Sequence, residues 1–114
     1  MANRRAKLLR DILDAGRAIE QFTTRRSLAD YRADLMLRSA VERQFEIMGE
    51  ALRRLHSEDA LFAARITRSS EIISFRNVIA HGYDVVDSMV VWGIIEEDLP
   101  ALMIEVQALL AELA

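Results

Sequence analysis

The sequence predicts an all-α fold, a four-helix bundle of the up-down type, from three observations. Apolar residues recur at steps of three and four along nearly the whole 114-residue chain, the period of an amphipathic helix. Only four Gly and one Pro are present to interrupt helices. Hydrophobic residues make up 52% of the chain, enough for the core of one domain (1–114) but not of two.

The first helix is expected from about Arg4 to Phe22, with Leu8, Leu9, Ile12, Ala15, Ile19 and Phe22 on its apolar stripe. Thr23 and Thr24 break that stripe. Ser27-Leu28-Ala29-Asp30 then reads as a helix start, the Ser capping and the acid three residues on completing a capping box. A long second helix follows, from Leu28 to about His56. Its residues Val41, Phe45, Met48, Leu52 and Leu55 form a bundle seam, and Leu37, Ala40, Ile47 and Ala51 widen the stripe toward a further helix or a second subunit. Gly49 in mid-helix costs about 1 kcal/mol relative to Ala, which close approach of another backbone would explain. Glu50 beside it is either a surface acid or a cleft residue. His56 is expected at the helix C-terminus as a partner of the dipole.

From Ser57 to Ser70 the pattern weakens. Ala60, Leu61, Phe62 and Ala63 suit a short helical turn, and Arg65 and Arg68 form a local basic cluster, either RNA-phosphate contacts or exposed loop charges. Ser69 or Ser70 is expected to cap the third helix, which carries Ser74-Phe75-Arg76-Asn77-Val78-Ile79-Ala80-His81-Gly82-Tyr83. After a turn at 84–88, Asp87 or Ser88 opens the last helix, where Val91, Ile94, Ile95, Leu99, Leu102, Val106, Leu109 and Leu113 keep one stripe. Pro100 falls inside it, so the helix should kink there or restart with Asp98 as its cap. Trp92 is expected in the core or at a dimer interface.

The third helix has two faces. Ile72, Phe75, Val78 and Ile79 lie on one side, and Ser74, Asn77 and His81 gather on roughly the other. A His moves protons near neutral pH, an Arg presents a fixed fork of donors to phosphate, and an Asn at i, i+4 from a His can orient its ring. This set suits phosphodiester cleavage without a metal. On an ideal helix Arg76 and His81 stand about 140° apart. Either the helix ends near Gly82 and turns His81 inward, or the site is shared across a two-fold axis, the arrangement preferred here.

The segment Glu71-Ile72-Ile73-Ser74-Phe75-Arg76-Asn77-Val78-Ile79-Ala80-His81-Gly82-Tyr83 resembles the signature of the HEPN superfamily, specifically its HepT-like toxin branch: Arg, then Asn, three residues, His, one residue and Tyr. Gly49-Glu50-Ala51 and the stretch from Val91-Trp92 through Glu97-Asp98-Leu99-Pro100 extend the likeness over about Phe22 to Leu110. Where homologues often carry Pro-Trp before the motif helix, this chain has Ala64-Arg65-Ile66-Thr67-Arg68-Ser69. The resemblance implies a dimeric bundle acting as a metal-independent ribonuclease, with Arg76 and His81 of both protomers meeting in a cleft. It also implies a nucleotidyltransferase antitoxin as partner, adding AMP to Tyr83.

Charge and composition limit the alternatives. The formal net charge is −3, which argues against indiscriminate binding of nucleic acid. All fifteen Lys and Arg lie at or before Arg76, against eleven acids there, and seven acids follow with no base. A basic face could thus take phosphate while the acidic C-terminal helix faces elsewhere. There is no cysteine, no ligand spacing for zinc or calcium, and no apolar run long enough to span a bilayer. A cytoplasmic protein with no cofactor, no metal and no membrane contact is expected. A non-catalytic module binding nucleotides beside a nucleotidyltransferase is the competing function, and a purely structural helical dimer the third.

Overall fold

The computed structural model describes residues 2–81 and 86–114, with side chains described for 4–79 and 86–114. These residues form helices and their connections, with no strand among them. The order is α1 (Ala2–Thr23), α2 (Leu28–Ala33), α3 (Leu35–Glu58), α4 (Ala60–Ala63), α5 (Ser69–His81), α6 (Ser88–Gly93), a π-helical turn (Ile94–Asp98) and α7 (Leu99–Leu113). The helix α3 lies between α1 and α5, and α7 also packs on α1. Their neighbours run antiparallel. Arg4 and Arg5 at the start of α1 pair with Glu58 and Asp59 at the end of α3, and His56 meets Ser69 while Gly49 meets Arg76.

The expected stripes form the core. Leu9, Ile12, Ile19, Val41, Phe45, Met48, Leu52, Leu55, Ile72, Leu99, Leu102 and Val106 are wholly buried. Phe45 and Phe75 pack edge to face at 5.2 Å, joining α3 to α5. Trp92 is a core residue, 5.5 Å from the buried ring of Tyr31.

Three local expectations need correction. The single helix from Leu28 is two helices, because Asp34 leaves the helical region (φ −118°, ψ 99°) and its carboxylate accepts the Leu37 N–H at 3.1 Å. The Ser27 capping box is present, Ser27 Oγ accepting from Asp30 N–H and Asp30 from Ser27 N–H, but it opens only the six-residue α2. At α5 the Ile72 N–H donates to the Arg68 carbonyl. Ser69 is buried with its hydroxyl 2.9 Å from His56 Nε2, and so ties the two helix ends together rather than capping. Asp98, finally, stands at the N-cap position of α7 with Pro100 in the first turn, as expected, but its side chain makes no cap hydrogen bond. The Leu99 N–H reaches back five residues to Ile94, and this wider turn re-phases the chain just before Pro100, which has no N–H to give. Asp87 does cap α6, accepting from Met89 N–H at 2.9 Å.

The connection before α5 is fastened to α7 and the turn before it by three acids spaced seven residues apart. Arg65 pairs with Glu112 at 2.5 Å, Thr67 donates its N–H and hydroxyl to Glu105 at 3.1 and 2.9 Å, and Arg68 pairs with Asp98 at 3.0 Å. A seven-residue step returns to nearly the same side of a helix, so one stripe of carboxylates receives consecutive residues of the connection.

Burial has a cost at Glu42. Desolvation raises its carboxyl above the usual range, with Glu46 adding to the shift and Arg38 opposing it. Folding therefore disfavours the ionised form. The penalty is complete at neutral pH and vanishes below the unfolded value, where both states hold the proton. Glu42→Gln should raise the urea midpoint at pH 7, and the gain should shrink toward zero below about pH 4. A gain that is the same at both pH values would trace it to packing instead.

Candidate functional site

The motif helix is seated on α3 through one position. Gly49 faces the root of Arg76 so closely that a Cβ there would lie 2.4 Å from Arg76 Cβ and 2.8 Å from its Cγ, with the Ile72 carbonyl at 3.4 Å. The mid-helix glycine thus admits the stem of an arginine, and the stem directs where the guanidinium goes. Arg76 leaves α5 over Gly49 and comes to the edge of a groove of about 250 Å³ along α3, lined also by Leu8 and Asp11 of α1.

The guanidinium is half-buried and only partly satisfied. Its Nη1 donates to Asn77 Oδ1 at 3.2 Å, and its Nη2 is 4.0 Å from Glu50 Oε2. Its Nε is buried with no hydrogen-bond partner among the described residues. A buried donor left unpaired costs about 1–3 kcal/mol, so this group is held for something other than stability. An anion arriving at the groove edge meets an Arg already positioned, whose Nη2 makes no hydrogen bond among the described residues and has only Glu50 at 4.0 Å.

Glu50 belongs to this groove rather than to open surface. It accepts from Arg53 Nε at 2.7 Å and Nη2 at 3.2 Å. The Arg53 hydrogen bond is the main cause holding its carboxyl below the usual range, and the charges of Arg76 and Arg54 add to it. It stays ionised, yet Arg53 takes most of its acceptor capacity and leaves Arg76 at the longer distance.

The other expected residues separate. Ser74 and Asn77 are exposed on the outer side of α5. Ser74 lines a second, more apolar groove with Phe75, Val78, Val90 and Ile94. Asn77 joins the two sides, since its oxygen holds Arg76 while its position on the helix is a turn before His81. The side chain of His81 and the whole of Tyr83 lie outside the described residues. Arg65 and Arg68 are not gathered with Arg76, being paired to acids of the C-terminal helical segment. Arg43, Glu46 and Arg54 do line the groove, though periodicity alone does not single them out. Their signal is position: 43, 47, 50 and 54 form one stripe of α3, with Gly49 at mid-length.

Residues 12–109 match the family described as Ribonuclease HepT-like, which is most of the chain and includes the α3 and α5 residues of this groove. The chain belongs to the HepT-like ribonuclease family. Two relatives agree. "Putative RNase MJ1380" from Methanocaldococcus jannaschii is 31% identical over 101 residues, covering 87% of this chain and 90% of that protein. "Probable ribonuclease HepT" from Thermococcus cleftensis is 33% identical over 94 residues, covering 82% and 84%. No solved structure matches. Ribonuclease activity is thus the chemistry of this HepT-like chain, and RNA its substrate class. Among the described residues no group of three potential metal ligands comes together, and no helix is long and apolar enough to cross a membrane.

Proposed function

We propose that this chain is the toxin of a toxin–antitoxin pair: a metal-independent endoribonuclease of the cytoplasm, silenced when a nucleotidyltransferase antitoxin adds AMP to Tyr83. The observation that carries the reading is Arg76, seated on Gly49 and fixed by Asn77 at a groove edge, with Nη2 making no hydrogen bond among the described residues. In cleavage the 2′-oxygen attacks the adjacent phosphorus and the bond to the 5′-oxygen breaks, leaving a 2′,3′-cyclic phosphate and a 5′-hydroxyl. His81 acts as general base on the 2′-hydroxyl proton or as general acid toward the departing 5′-oxygen. Arg76 holds the phosphoryl oxygens as charge builds on them, and Asn77 positions its neighbours. The roles of His81 and Tyr83 rest on the family motif.

A second copy completes the site in this reading. Val78, Met89 and Val90 each leave more than half their surface exposed beside the apolar groove of α5 and α6, next to the motif helix. Burying that patch would pair two motif helices; that Arg76 and His81 from both protomers share one cleft rests on the family motif. A nucleotidyl group on Tyr83, two residues beyond His81, would block it by bulk and negative charge.

The test is cleavage of cellular RNA in EDTA. Wild type should cut, and folded His81→Ala should not. A wild type that needs a divalent cation contradicts the reading. One that binds RNA without cutting it makes the chain a binding module for nucleotides.

A further inference from the structure

Arg76 has company in its groove. Arg43 and Arg54 line it too, eleven positions apart on α3, which at 1.5 Å per residue separates them by about 16 Å. Gly49, the seat of Arg76, falls midway between them. On a helix, positions 43, 47, 50 and 54 lie within roughly 60° of one another. Three arginines therefore border one groove, two on this α3 stripe and one reaching it from α5, its Nη2 4.0 Å from Glu50 Oε2.

The acids of the groove leave these cations available. Asp11 is taken by Lys7 at 2.8 Å and Glu50 by Arg53 at 2.7 Å. Among the described residues neither Arg43 nor Arg54 has a carboxylate within ion-pair distance, and Glu46 is the remaining acid of the lining. Leu8, Ile47 and Ala51 provide apolar surface between the charges. Cations spaced along an apolar surface suit a flexible polyanion that carries flat, apolar-faced bases.

We propose that Arg43 and Arg54 are substrate-binding residues that take the phosphates on either side of the one held at Arg76, so that RNA lies as a single strand along α3. This rests on the ribonuclease reading of Arg76 and adds the path of the substrate. It also accounts for selectivity in a chain of net negative charge: contacts along one groove replace a general basic surface.

The experiment measures binding of a fluorescent single-stranded RNA oligonucleotide by anisotropy across a salt series, in the His81→Ala background so that the probe survives. Arg43→Gln and Arg54→Gln are each expected to weaken binding about 3–10-fold and to lower the salt slope by about 0.7 per residue removed. Arg17→Gln, on the side of α1 opposite Leu8, should change neither. In the cleaving background the two groove variants should raise KM and leave kcat near wild type. The same sequence as a duplex should bind more weakly than the single strand. Unchanged affinity and salt slope in the double variant overturn the proposal, as does equal binding of duplex. If wild type cuts no RNA, the ribonuclease reading fails by itself, and the binding series still decides whether the groove holds a strand.

Discussion

Arg76→Ala is expected to lower RNA turnover by about 10²–10³-fold while the protein stays folded, the loss typical of removing one preorganised donor from a developing oxyanion. The fold should survive because the Ala keeps the Cβ that faces Gly49 and removes the Nε that is buried without a partner. Arg76→Lys is the sharper comparison. It retains the stem and the charge but loses the planar fork that places one nitrogen 3.2 Å from Asn77 and another 4.0 Å from Glu50. Most of the loss should therefore persist in the Lys variant. Single-turnover rates with saturating RNA, read beside thermal unfolding, check both. A Lys variant as fast as wild type would mean that charge alone matters and that the fork geometry has no part.

The pattern of what the sequence reveals follows from how far each interaction reaches. The Ser27–Asp30 box and the Asp87 cap involve neighbours two or three residues apart, so local spacing specifies them. The apolar stripes are equally local, and they yield the bundle. The break at Asp34 is less visible, because an Asp in a helical pattern looks the same whether it is a surface charge or a cap for Leu37. The register between helices is harder still. Gly49 announces a close neighbour through its cost in mid-helix, but only packing shows that the neighbour is Arg76. Likewise Asp98, Glu105 and Glu112 look like one solvated stripe until the connection 65–68 is laid along them. The motif is readable as chemistry from its residue types. The groove is not, since it is made by three helices and two of its three arginines come from a different element than the motif.

Gly49→Ala should cost the protein both stability and activity, and the two losses share one cause. The added Cβ meets Arg76 Cβ at 2.4 Å and its Cγ at 2.8 Å, contacts so near the backbone of α5 that no rotamer change relieves them. The helix must move away from α3, opening the Phe45–Phe75 contact and carrying Arg76 off the groove edge. A net loss of about 1–3 kcal/mol is expected, even though Ala is intrinsically better than Gly in a helix by about 1 kcal/mol. The other glycines supply the scale. A Cβ at Gly93 meets nothing within 4 Å, so Gly93→Ala should show the bare propensity gain of up to about 1 kcal/mol. One at Gly16 meets the sulfur and methyl of Met103, the far end of a flexible side chain that can swing aside. Stability should thus rank Gly93→Ala above Gly16→Ala above Gly49→Ala in urea. Only Gly49→Ala should lose RNA turnover under conditions where all three remain folded, because a shift of about 1 Å at a catalytic group can cost about 10²-fold. A stable, fully active Gly49→Ala would show that the seat of Arg76 can yield, and that the guanidinium finds the phosphate from a displaced helix.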